Sequence, residues 1–105
     1  MATNRMEILK SMLERNPADT FARYGLAMEY ASSGDLNQAV AEYRALLAQN
    51  ENYSAAYFHC GQALEKLGRL EEARDLYAQG VEITTLTGDL HTRAELQAAI
   101  DLLPL

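Results

Sequence analysis

Cys60, its neighbour His59 and the more distant His91 are the residues of this 105-residue chain whose types could carry nucleophilic catalysis, because an activated thiol needs an imidazole within hydrogen-bond reach. His59 and Cys60 lie in the run YFHCGQAL, which reads as helix, and adjacent helical residues point about 100° apart. The pair therefore diverges, and a buried, inert cysteine is the reading that remains. A single cysteine also forms no internal disulfide, and two His and one Cys without C-x2-C or H-x3-H spacing make no zinc site. Glu71, Glu72 and Asp75 form the densest carboxylate group. They open a helical run, where acidic side chains complement the positive end of the helix dipole. The glycines Gly25, Gly34, Gly61, Gly68, Gly80 and Gly88 are isolated, so none builds a phosphate loop. The expectation is a non-enzyme with no cofactor and no metal.

Charge and hydropathy exclude further classes. The formal net charge is −6. Nucleic acids and anionic membrane surfaces are bound through surplus Lys and Arg, so neither is an expected partner. Charge is spread evenly, with five basic and seven acidic residues in 1–53 against four and eight in 54–105. Residues 1–20 contain Arg5, Glu7, Lys10, Glu14 and Arg15, which interrupt any signal-peptide core, and no stretch of 18 apolar residues occurs. The simplest location implied is cytoplasmic.

The elements that position these residues are helices. Leu36, Ala39, Val40, Tyr43, Leu46 and Leu47 recur at i, i+3, i+4, i+7, i+10 and i+11, one face of an α-helix, and Leu70, Ala73, Tyr77 and Val81 follow suit. Asp35 with Gln38 has the form of a capping box, Ser54 is placed to cap a helix, and Gly34 and Gly68 suit tight turns. Six helices are expected, at 4–15, 19–32, 35–49, 53–67, 69–86 and 89–103. No strand-like alternation competes.

The chain also overlays itself. Shifted by 34 residues, 20–53 lies on 54–87 with identities at Ala22/Ala56, Gly34/Gly68, Leu36/Leu70, Ala39/Ala73 and Tyr43/Tyr77, four of them inside the phrase G-x-L-x-x-A-x-x-x-Y. This period and phrase resemble the tetratricopeptide repeat. The first half of the repeat pattern falls on Arg23, Leu26, Ala27 and Tyr30, then on Tyr57, Cys60, Gly61 and Leu64; the second half falls on Ala39 to Tyr43 and Ala73 to Tyr77. Arg23 departs from the pattern's aromatic, and Glu51 and Thr85 replace its closing proline.

The resemblance implies an all-α, right-handed superhelix of antiparallel helix pairs, divided as a half-repeat or cap at 1–19, repeats at 20–53 and 54–87, and a capping helix at 88–105. Ala27, Ala39, Gly61 and Ala73 are then the small residues that let helices approach, with Tyr30, Tyr43, Tyr57, Leu64 and Tyr77 filling the space between pairs. It further implies that the first helix of each repeat lines a concave groove, which places Phe21, Tyr24, Met28, Phe58, His59, Gln62 and Lys66 on a binding surface for a protein or peptide partner. Because that surface is rich in aromatic and Met side chains, an apolar segment or an amphipathic helix is the expected ligand. Relatives that bind acidic chaperone tails hold the terminal carboxylate at places matching Tyr24, Met28, His59, Asp89 and Arg93; only Arg93 agrees, so that ligand is not expected. Self-association is the alternative, through the groove or through the apolar tail Ile100-Asp101-Leu102-Leu103-Pro104-Leu105, for which folding back onto the last helix is the simpler outcome.

Overall fold

The computed structural model describes residues 4–105. Its helices are α1 (Arg5–Arg15), α2 (Thr20–Ser32), α3 (Leu36–Gln49), α4 (Ser54–Lys66), α5 (Leu70–Thr87) and α6 (Leu90–Leu102), and no strand occurs among the described residues. Each helix packs on the one before it, α4 also touches α6, and the stack measures 41 × 29 × 19 Å. The fold is the expected all-α helical repeat. Among the described residues no helix is long and apolar enough to cross a membrane.

Two kinds of turn build the stack. The turns after α2 and α4 place Gly34 and Gly68 at φ +89 and +77, a left-handed backbone that carries no steric cost without a Cβ. In each, the amide three residues past the helix end reaches back five positions, Asp35 N–H to the Tyr30 carbonyl and Arg69 N–H to the Leu64 carbonyl, both at 2.9 Å, and satisfies an orphan acceptor. The turns after α1 and α3 end instead on Asn16 and Asn50, extended at φ −146, whose side chains accept from Ala18 N and Asn52 N at 3.2 Å. The turn after α5 breaks this alternation. It is a glycine turn at Gly88, φ +78, and α5 has 18 residues where α3 has 14.

The helix caps match one expectation and correct another. Asp35 Oδ1 does accept from Gln38 N–H, at 3.4 Å, but Ser54 caps nothing: α4 starts after Tyr53 without a side-chain cap. Ser54 Oγ donates instead to Asp89 Oδ2 at 2.9 Å, tying the start of α4 to the start of α6.

Small residues set the helix spacing as expected. Ala27, Ala39 and Ala73 are fully buried, and Gly61 lies so close to the Tyr77 ring that a Cβ built there would meet Tyr77 Cε1 at 2.1 Å. Tyr43, Tyr77, Leu46, Leu64 and Leu96 are the large side chains shut in the interior. The tail folds back through one residue: Leu103 is buried, while Leu102 and Leu105 stay exposed.

Arg23, the departure from the repeat pattern, has a definite role. Tyr57, 34 residues later, donates its hydroxyl to the Glu51 carbonyl at 2.8 Å. Arg23 Nη2 donates to the Pro17 carbonyl at 3.2 Å, the equivalent atom of the equivalent turn, and its Nη1 pairs with Glu42 Oε1 at 2.7 Å. A guanidinium thus replaces a phenol as the latch over the turn. Its Nε is buried without a hydrogen-bond partner, a cost that the phenol avoids.

Candidate functional site

Exposed and half-buried side chains of α2, α4 and α6 converge on one groove. Its floor is aromatic because residues three and four apart on a helix share a face, and consecutive helices bring those faces together. Tyr24 on α2 reaches Tyr53 at 5.1 Å between ring centroids and His59 on α4 at 6.0 Å. His59 stacks on Tyr43 at 6.5 Å and meets Phe58 edge-on at 5.5 Å, and Phe58 lies 6.3 Å from Tyr77. These distances lie in or near the favourable range for aromatic pairs, so the floor is a connected, stiff surface rather than a set of separate rings.

Two cavities open on this floor and share Gln62. The first, of about 190 Å³, lies between α2, α3 and α4, with Met28, Leu36, Tyr43, His59 and Lys66 around it. The second, of about 410 Å³, lies between α4, α5 and α6, with Phe58, Glu65, Tyr77, Glu95, Ala98 and Leu102 around it. Polar contacts fix the walls. Tyr43 donates its hydroxyl to Met28 Sδ at 3.2 Å, and the Tyr77 hydroxyl donates to the Glu65 carboxylate.

Burial raises the hydroxyl pKa values of Tyr24, Tyr43 and Tyr77, to which neighbouring tyrosine or carboxylate charge adds, so these groups stay protonated donors. Burial also pushes the His59 imidazole below its ordinary value, with Glu95 opposing the shift. Neutral His59 therefore presents a flat, weakly polar ring to the groove at neutral pH. Cys60, fully buried, has its thiol pushed up to about 11 by burial, which leaves almost no thiolate. Among the described residues no three His, Cys, Asp or Glu side chains gather as a metal site.

Six of the seven residues expected on a binding surface meet here. Tyr24, Phe58 and His59 form the floor, and Met28, Gln62 and Lys66 line the cavities. Phe21 stands apart. It is 69% exposed, lines neither cavity and joins none of the aromatic contacts among the described residues. Sequence reasoning missed Glu65, Glu95 and Leu102, and counted Tyr43 and Tyr77 as core alone. Tyr43 and Tyr77 are core, but the rims of their rings also reach the groove. Glu65 was legible as the residue three beyond Gln62 on the same face.

Residues 24–85 match the family described as Tetratricopeptide repeat. The chain is 29% identical over 91 residues to the TPR repeat-containing protein PA0015 of Pseudomonas aeruginosa, covering 87% of each. Among solved structures it is similar to a tetratricopeptide repeat domain protein from Salinibacter ruber, at 35% identity and a TM-score of 0.76 over 81% of this chain and 86% of that one. It also shares the fold of PcrH, solved in complex with the chaperone binding region of PopD, at 18% identity and a TM-score of 0.85 over 91% of this chain and 73% of that one.

Proposed function

Because this chain belongs to the tetratricopeptide repeat family, we propose that it is a non-enzymatic protein-binding module whose groove takes an apolar peptide or an amphipathic helix from a partner. The observation that carries this reading is the connected aromatic floor, Tyr24, His59 and Phe58, left partly open between two cavities. Aromatic rings bury much area at small entropic cost, and a Met beside them adapts to varied shapes. Stiffness helps too, since a surface already ordered loses little freedom on binding. The fold is shared with PcrH, whose structure holds a bound segment of another protein, which agrees with a peptide ligand here.

The test is selection of binding sequences from a displayed random-peptide library on the full chain, followed by calorimetry of the selected peptides against the Tyr24→Ala/Phe58→Ala variant. Binding falls by more than about tenfold, as expected for the loss of central aromatic anchors, while helicity measured by circular dichroism holds. Retained affinity would move the site to another face.

Self-association is a second reading, favoured by the exposure of Leu86, Leu90, Leu102 and Leu105. Sedimentation at micromolar and near-millimolar concentration, repeated with Leu102→Lys/Leu105→Lys, separates the two: a dimer lost on substitution supports it, and a monomer throughout overturns it.

A further inference from the structure

The two cavities differ in charge. The first has Lys66 and the half-buried His59 at its edge, whereas among the described residues the ionic side chains lining the second are the carboxylates Glu65 and Glu95. Apart from the amide of Gln62, the rest of the second cavity is apolar or aromatic: Phe58 and Tyr77 on one side, Ala98 and Leu102 on the other. Glu65 is half-buried and spends one oxygen on the Tyr77 hydroxyl. Among the described residues the ion pair that Glu95 makes is with the highly exposed His91, at 3.4 Å, a pair that is weak in water and depends on His91 being protonated.

Each class of side chain fares differently in such a cavity. An acidic group would stand beside two like charges. A purely apolar group would cover the two carboxylates and take water from them without replacing its hydrogen bonds. A side chain with a long aliphatic stem and a cationic end matches both features, since the stem lies along methyl and methylene groups while the end meets the carboxylates. Arginine fits better than lysine. Its planar guanidinium is more weakly hydrated, bonds a carboxylate through two parallel N–H donors and is attracted to the face of a ring such as the half-buried Phe58. The net charge of −6 draws a cationic segment toward the molecule as well.

Resting on the reading of the groove as a peptide site, we propose that the α4–α5–α6 cavity binds an arginine side chain of the partner, with the guanidinium held by Glu65 and Glu95 and the stem laid against Ala98 and Leu102. The module then selects apolar segments that carry an arginine, and rejects those with an acidic residue at that place.

The proposal is tested by NMR titration of the isotope-labelled full chain with two capped heptapeptides, acetyl-GLARALG-amide and the same sequence with the arginine replaced by citrulline, its neutral isostere. The arginine peptide shifts the resonances of Phe58, Ala98, Ala99 and Leu102 and binds about tenfold tighter than the citrulline peptide, the difference expected of a charge-assisted pair. That preference shrinks on raising salt from 50 to 500 mM and falls below about twofold in Glu65→Gln/Glu95→Gln, in which glutamine still accepts from Tyr77. Equal binding of both peptides at these resonances overturns the arginine assignment and leaves the groove intact. Shifts confined to the Met28 and Lys66 side do the same. No shift along α2, α4 and α6 with either peptide overturns the arginine assignment, and failure of the displayed library as well would remove the groove reading with it.

Discussion

The hairpins α2–α3 and α4–α5 are two solutions to one packing problem. Where the first places Ala27 at the helix crossing, the second places Gly61, and the Tyr77 ring moves into the space that a Cβ would fill. The first latches its entering turn with Arg23 and the second with Tyr57. Asp19 and Asp35 cap both helices of the first through their carboxylates, while Tyr53 and Arg69 give the second none. Arg69 instead pairs with Glu72, at 2.8 Å, across the first turn of α5. Gly25 in the first corresponds to His59 in the second, which supplies the groove with its imidazole. A fixed backbone thus tolerates different chemistry at one position, provided the same volume is filled and the same carbonyl is satisfied.

The sharpest way to break this comparison is at the crossing. Gly61→Ala drives a methyl into a ring that is itself fully buried, so urea unfolding loses about 2–3 kcal/mol by overpacking, even after the better helix propensity of alanine. Ala27→Gly in the first hairpin costs about 1 kcal/mol, mainly in helix propensity. A Gly61→Ala protein as stable as wild type would mean that the ring is free to move and the two crossings are alike.

The latch comes next. Arg23→Ala strips the Pro17 carbonyl and Glu42 of a donor in a site where the Arg23 side chain is 18% exposed, and the unfolding free energy falls by about 1–2 kcal/mol. Arg23→Tyr restores the arrangement of the second hairpin and leaves stability within about 1 kcal/mol of wild type. If the tyrosine variant is as damaged as the alanine one, the two latches are not interchangeable.

At the caps, Asp19→Ala removes the bond from Ala22 N–H at 3.0 Å and costs about 1 kcal/mol. Tyr57→Phe, which opens the latch of the second hairpin, costs a similar amount by freeing the Glu51 carbonyl. A thermal scan of the two variants resolves the order.

The smallest effect is in pH. The folded pKa of His59 lies below its unfolded value of 6.5 because of burial, so the unfolded chain takes up the proton first as pH falls. The stability linked to His59 is therefore whole above about pH 6.5, declines as pH drops toward the folded value and levels off below it. His59→Gln flattens that part of the stability curve between pH 7 and 5 relative to wild type, and Gly25→His creates no equal slope unless its imidazole is equally covered. Identical urea midpoints for wild type and His59→Gln across this range would show that His59 is not desolvated.

Much of this architecture is legible in the residues. The recurrence of Leu36, Ala39, Tyr43 and Leu46 defines a helix face because only a period near 3.6 collects them on one side, and Gly34 and Gly68 mark turns because only glycine takes a positive φ freely. The groove was legible in part. Tyr24, Met28, Phe58, His59, Gln62 and Lys66 were placed there by the family resemblance, which runs the first helix of each repeat along the groove, but nothing local distinguishes Phe21, one turn earlier, which the packing leaves outside. Ser54 has the chemistry of a cap, and its hydroxyl went to Asp89 because α6 brings a carboxylate within 2.9 Å.

What the sequence determined by itself is therefore what depends on near neighbours along the chain: helix periodicity, the glycine turns at Gly34 and Gly68, and the divergence of His59 from Cys60. What only the tertiary structure decided is what depends on residues far apart in the chain: Arg23 serving where Tyr57 serves, Tyr77 filling the hollow of Gly61, and Glu65 meeting Glu95 around one cavity. The reason is physical. Local rules act through the backbone over a few residues, whereas a carbonyl, a hollow or a carboxylate is satisfied by whatever group the packed helices bring within reach.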